Sequence, residues 1–356
     1  MKLFANNMQR WREFRELDKR DRGRAVTELI INNSLYILLF LAIIFIGIRS
    51  PRFLSIPSLI NILSLSAAGL PIALGIAGCI ILTGTDLSAG RIVGLTACIA
   101  ASLLQSTDYG NKMFPGLATL PIWLVLLIVL AVSGVIGLIN GFCTAKFKLH
   151  PFIVTLATQL IVYGVLLLYL MIGNNNGQAI SGLSPEFNDF INGSILNIAG
   201  TPIPNFVWYA LAITLIMWVV WNKTRFGKNM FAVGSNSEAA NVSGVNVTAT
   251  IMLVFTLAGV LYGVTGFIEA ARISSNSAAT GVNYELDAIA ACVIGGVSFV
   301  GGIGKIRGVI LGVVLLRLIF VGLTFLSIDA NLQYIIKGLI ILVACAIDMR
   351  KYLVKK

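Results

Sequence analysis

Apolar residues in this chain gather into ten runs separated by short polar or glycine-rich strings, at about 29–48, 59–83, 91–106, 119–142, 152–172, 203–221, 248–270, 286–300, 309–326 and 331–348. A bilayer core of about 30 Å is spanned by about 20 helical residues, so runs of this length and purity predict membrane-crossing helices. The pattern predicts an all-α integral membrane protein of about ten spans. The second run carries Gly69 and Pro71, where its helix is expected to kink or break. The third and eighth runs are short and are bordered by the strings "ILTGTDLSAG" (81–90) and "VIGGVSFVGG" (293–302). Interrupted spans in both halves of a transporter point to its transport path.

Composition removes the competing classes. Of 356 residues, 57% are hydrophobic and 12% charged, against about 45–50% and about 25% in soluble domains, so a self-contained soluble enzyme is excluded. The formal net charge of +11 is explained by topology. With the N-terminus inside, the inner segments 1–28, 143–150, 222–247, 301–308 and 349–356 hold 19 Lys and Arg, and the outer segments hold only Arg49, Arg52, Lys112 and Arg272. That is the asymmetry of the positive-inside rule, and nucleic acid is not needed to account for the charge. Residues 1–28 mix basic and acidic side chains without an apolar core, so they read as a cytoplasmic tail and not a signal peptide. The permease domain is read as 29–348, with 349–356 a second cytoplasmic tail. The five cysteines have no CxxC spacing and suggest neither a metal site nor a disulfide framework.

Few residues are candidates for chemistry. Asp86 lies between two apolar segments, with Thr85 and Ser88 beside it and Arg91 as a candidate partner. A carboxylate at membrane depth costs about 2.5–3.5 kcal/mol and must face protein or water. Asp86 therefore reads either as part of a polar substrate path or as a helix cap paired with Arg91. Asn140 and Gln159 are further path candidates; Glu269, Asp287, Arg317 and Lys337 read as helix-packing or snorkelling groups. His150 reads as a loop residue. Gly90/Gly94, Gly137/Gly141, Gly259/Gly263 and Gly304/Gly308/Gly312 have the spacing of close helix packing. "RFGKN" (225–229) and "GIGKIRG" (302–308) lack the spacing of a phosphate-binding loop, so the chain is read as a transport subunit without its own nucleotide site and without a bound cofactor.

The loop from Gly173 to Pro202 lacks Lys and Arg and is rich in Asn, Gly and Ser, as suits either a docking surface for an external partner or a loosely constrained connection. The longest inner loop, 222–247, predicts a short helix: Ser235 or Ser237 as cap, Glu238, Ala239 and Ala240 following, Gly244 as terminator. Such a helix suits force transmission from a partner protein.

Four separated strings, "TGTDLSAG" (83–90), "KTRFGKNMFAVGSNSEAANVSGVNV" (223–247), "YELDAIAACVIGGVSFVGG" (284–302) and "QYIIKG" (333–338), together resemble the ribose-type family of permease subunits from bacterial ATP-binding-cassette sugar importers. The resemblance covers about 29–348. It implies a ten-helix fold of the vitamin B12 importer class (type II), used as a homodimer in the inner membrane with both termini cytoplasmic. It implies a cytoplasmic ATPase that uses ATP and Mg, and an extracytoplasmic sugar-binding protein. It assigns coupling to the segment holding Gly234, Asn236, Glu238, Ala239, Ala240 and Gly244. The cargo implied is a monosaccharide, galactose or a methyl-galactoside, with ribose or another sugar, or an ion-coupled secondary sugar transporter, as the alternative.

Overall fold

The computed structural model describes Asp18 and residues 34–353. The expected tail 1–28 otherwise lies outside the described residues, as do 354–356. Helix α1 (Ser34–Arg49) and a 3-10 turn (Pro51–Leu54) lead into α2 (Ile56–Ile81), followed by α3 (Ala89–Leu103), α4 (Ile122–Lys146) and α5 (Pro151–Leu170). A short α6 (Pro185–Asn192) and an antiparallel hairpin, β1 (Ser194–Ile198) with β2 (Thr201–Pro204), precede α7 (Asn205–Lys223). Two short helices, α8 (Arg225–Ser235) and α9 (Ser237–Val242), connect to α10 (Val247–Ile273). The chain ends with α11 (Tyr284–Ile294), α12 (Ile306–Phe325) and α13 (Ala330–Leu353).

Each apolar run thus carries a helix, the first described from Ser34 onward and the eighth only as far as Ile294. Six of the helices, α2, α4, α5, α7, α10 and α12, are long and apolar enough to cross a membrane. Their burial separates hub from shell. The apolar windows of α2 and α10 are each 61% buried, those of α4, α5 and α7 only 28%. The shell helices turn side chains such as Leu127, Ile139, Leu168 and Ile216 outward, as lipid contact demands.

Helix α10 packs on α4 through the two predicted glycine pairs. A Cβ at Gly137 would collide with the carbonyl oxygen of Phe255, and one at Gly259 with that of Ser133. Lipid tails are as apolar as leucine, so this backbone-to-backbone approach supplies the packing that the hydrophobic effect supplies in water.

Two expectations need correction. Of the kink or break expected at Gly69 and Pro71, the break does not occur: helix α2 continues as one helix with Pro71 buried inside it. Packing of the hub on α7, α10, α11 and α12 holds the helix across the carbonyl that a proline leaves unbonded. The helix of the eighth run ends at Ile294, and 295–305 is irregular, with Gly296, Gly301 and Gly302 at positive φ.

The two ends of the bundle are built differently. At one, Gly302 N–H donates to Ile81 O (2.9 Å), and Gly234 of α8 packs on both residues. At the other, Ile180 and Asn276 exchange backbone hydrogen bonds of 2.7 and 2.9 Å, and Gln105 donates to Ser181 O (2.8 Å) while accepting from Met113 N–H (2.9 Å). The 173–202 segment is therefore a tied element and not a loose connection.

Helices α3 and α11 are half-length. At about 1.5 Å per residue, their 15 and 11 residues rise about 22 and about 16 Å, short of a bilayer core. They begin beside one another inside the bundle. The 277–281 segment descends along α3, with Cys98 Sγ 3.7 Å from Ser277 O, then Thr280 O against Gly94 and Gly281 against Gly90. Any side chain at Gly90 or Gly94 would fill the space that this segment occupies.

Candidate substrate path and coupling segment

The string between α2 and α3 dips back into the bundle and is pinned to α5. Thr155 Oγ1 donates to Thr85 O (3.2 Å) and accepts from Leu87 N–H (3.1 Å). Thr85 is half-buried. Asp86 is fully buried; its Oδ1 accepts from Ser88 N–H (2.9 Å) and Ser88 Oγ (2.6 Å). Ser88 Oγ accepts in turn from Asn140 Nδ2 (3.0 Å), and Asn140 Oδ1 accepts from Thr158 Oγ1 (2.6 Å). One directional chain, Thr158 with Asn140, Ser88 and Asp86, joins α5, α4 and the start of α3, each hydroxyl donating once. The second carboxylate oxygen, Asp86 Oδ2, has no hydrogen-bond partner among the described residues and lies beside Tyr262 and Cys79, both fully buried.

Of the two readings of Asp86, the one that pairs it with Arg91 does not hold: no ion pair joins them. Ser88 holds Asp86 inward, while Arg91 turns outward, donates to Ala278 O (3.1 Å) and stacks over the Tyr163 ring at 4.1 Å. Ser88 sits at the N-cap position of α3 without a side-chain cap bond. Of the five path candidates, the structure gathers Thr85, Asp86, Ser88 and Asn140. It leaves Gln159 apart, half-buried on the flank of α5 that carries Tyr163, with no hydrogen bond from its amide among the described residues. Residue-type reasoning passed over Tyr163 as one aromatic residue in an apolar run; its position one helical turn after Gln159 was the available signal.

The other intramembrane charges form compact clusters. Asp287 bridges Lys337 (2.5 Å) and Arg317 (3.6 Å), tying α11 to α12 and α13. Glu269 and Arg272 pair bidentately, at 3.0 and 2.7 Å, and Tyr284 donates to Glu269 Oε2 (3.3 Å). His150 caps α5, its Nδ1 accepting from Phe152 N–H at 3.3 Å.

The inner loop holds two helices where one is expected. Thr224 caps α8 through Gly227 N–H (3.2 Å); Asn236, not Ser235 or Ser237, caps α9 through Ala239 N–H (2.9 Å). Gly244 has φ +84° and ends the turn after α9, the left-handed conformation in which glycine carries no Cβ penalty. The six coupling candidates face different ways. Gly234 is buried within α8 against the bundle and Ala240 is only 5% exposed, whereas Asn236, Glu238, Ala239 and Gly244 are exposed. Ala239 and Ala240 therefore face opposite ways, Ala240 toward its own chain and Ala239 outward. Val242, which residue type alone does not single out, is 89% exposed and completes the outward tip of α9. An apolar residue in a polar loop was the signal.

A multi-pass helical bundle with two half-length helices starting inside it, and polar side chains gathered where they start, defines a membrane transport component. The family model described as the permease component of the branched-chain amino acid transport system matches residues 58–345, and the chain belongs to that family. It is 49% identical to the galactose/methyl galactoside import permease protein MglC of Escherichia coli, over 91% of this chain and 95% of that one. It is 46% identical to the MglC of Haemophilus influenzae, over 92% and 97%. Identity to the ribose import permease protein RbsC of Escherichia coli is 34%, over 91% and 95%. No solved structure gives a significant match.

Proposed function

We propose that this chain is the permease subunit of an ATP-binding-cassette importer that moves galactose or a methyl-galactoside into the cytoplasm. The observation that carries the reading is 49% identity to a galactose/methyl galactoside permease across nearly the whole of both chains, well above the 34% to a ribose permease. On this reading the six long helices are joined by α1, α3, α11 and α13 to make ten crossings of the type II fold, with both termini cytoplasmic in the bacterial inner membrane. The excess of Lys and Arg in the segments around α8 and α9 supports that orientation. Two copies pair with the pathway between them. A cytoplasmic ATPase, which binds and hydrolyses ATP with Mg, engages the exposed tip of α9. An extracytoplasmic sugar-binding protein docks over the 173–202 segment. Lipid covers the apolar shell, and nucleic acid has no part.

The mechanism that follows is a force path. Asn236 and Asn246 cap the helices on either side of the α9 turn, so a push on α9 is delivered to the start of α10, the buried hub. Gly234 links the same segment to Ile81 and Gly302, beneath the irregular strings of both half-length helices. Movement of α9, passed on through Gly234 of α8, therefore reaches the string that leads into α3 and the string that follows α11 through direct contacts. Proteoliposomes containing this permease, its ATPase and a galactose-binding protein test the reading. ATP-dependent uptake of labelled galactose exceeding that of ribose is the expected result. Uptake driven by a proton or sodium gradient without ATP would refute it.

A further inference from the structure

The geometry points to Arg91, Gln159 and Tyr163 as the contacts that this permease makes with the sugar in transit, a deepening that rests on the galactoside-importer reading. The first observation is one of charge. Arg272, in the last turn of α10, is neutralised by Glu269, and Arg317 and Lys337, within the spans, by Asp287. Arg91 alone among these described intramembrane cations has no carboxylate within ion-pair distance. An unpaired guanidinium is tolerated at membrane depth where it meets water or a polar cargo.

The second observation is one of direction. A snorkelling arginine in the first turn of α3 would extend toward the nearer end of the bundle, where α8 and α9 lie. Arg91 does the opposite. Its guanidinium lies over Tyr163, the thirteenth residue of the twenty in α5, about 18 Å along that helix. The ring and the Ala278 carbonyl hold it in one orientation, and that carbonyl takes only one of its five N–H donors.

The third observation is the company it keeps. Gln159 precedes Tyr163 by one turn on the same flank, and its amide offers two donors and an acceptor with no partner among the described residues. Arg91, Gln159 and Tyr163 are each half-buried, whereas Asp86, Ser88 and Asn140 behind them are fully enclosed and out of reach of cargo. Glu285, buried on α11, is close enough to interact with the Arg91 charge without pairing with it. A partly offset cation with free N–H groups, beside a free amide and an aromatic ring, suits a neutral polyol better than an anion.

The test is transport by the complete complex in proteoliposomes, with Arg91→Met, Arg91→Lys and Gln159→Leu compared with wild type at matched assembly with the ATPase. Galactose uptake should fall at least tenfold in Arg91→Met and about threefold to tenfold in Gln159→Leu, with Arg91→Lys intermediate. The discriminating readout is a panel of monodeoxygalactoses. For the hydroxyl that Arg91 bonds, wild type should prefer galactose over the deoxy sugar, and Arg91→Met should narrow that preference about fivefold or more. The binding protein is the same in both arms, so its own selectivity cancels. Wild-type uptake in Arg91→Met and Gln159→Leu overturns the inference. So does reduced uptake with every deoxy preference unchanged, the signature of a structural role. Should Arg91→Met fail to assemble, Gln159→Leu, which places leucine on a helix already lined with exposed leucines, is read by the same deoxy-sugar criterion. Failure of the wild-type complex to take up galactose overturns the importer reading itself, and this inference with it.

Discussion

Replacing Asp86 separates the role of its charge from the role of its hydrogen bonds. Asp86 Oδ1 is the acceptor for two fully buried donors, Ser88 N–H at 2.9 Å and Ser88 Oγ at 2.6 Å. Leucine keeps the branching at Cγ, is bulkier, and removes both acceptances. A buried donor left unpaired costs about 1–3 kcal/mol, so Asp86→Leu is expected to destabilise the permease by about 2–6 kcal/mol. Asparagine keeps the accepting oxygen and replaces Oδ2, which has no partner, with an amide facing the Tyr262 hydroxyl. It also removes the cost of burying a carboxylate. Asp86→Asn should therefore match or exceed wild-type stability. Unfolding of the purified permease in mixed detergent micelles measures the difference, and uptake at matched expression gives the functional counterpart. Equal stabilities of the leucine and asparagine variants would refute the hydrogen-bond account. An asparagine variant as unstable as leucine would show that the negative charge itself is required.

Gly259→Leu places a side chain against the Ser133 carbonyl at the α4–α10 contact and should cost more than about 3 kcal/mol, read as loss of folded permease in membranes. Ala239→Arg and Val242→Asp alter the exposed tip of α9 and should abolish co-purification of the ATPase while leaving the yield of permease unchanged; Ala240→Arg, directed into the bundle, should lower the yield itself. Asp287→Ala strands Arg317 and Lys337 and should destabilise by about 3–5 kcal/mol in the micelle assay, whereas Lys337→Met leaves Asp287 paired with Arg317 and should cost less.

Much of this protein can be read from residue types in order. Ten apolar runs became helices because a chain in lipid has to satisfy its backbone hydrogen bonds within each segment, so hydropathy alone locates the elements. The glycine spacings at 137/141 and 259/263 announced close packing, and the structure shows that they pack on each other. Contacts between distant segments were beyond such reading. Asp86 and Arg91 are five residues apart and of opposite charge, yet the hydroxyl of Ser88 and the carbonyl of Ala278, 187 residues beyond Arg91, draw them to opposite sides. Gly234 and Ala240 share a loop with Ala239, but packing against Ile81 and the bundle turns them inward and leaves Ala239 and Val242 exposed. Proline 71 gives a local signal to break, which the neighbours around α2 override. Local propensity and hydropathy depend on neighbours along the chain and are legible there; which polar group meets which depends on how the helices cross, and only the assembled bundle decides it.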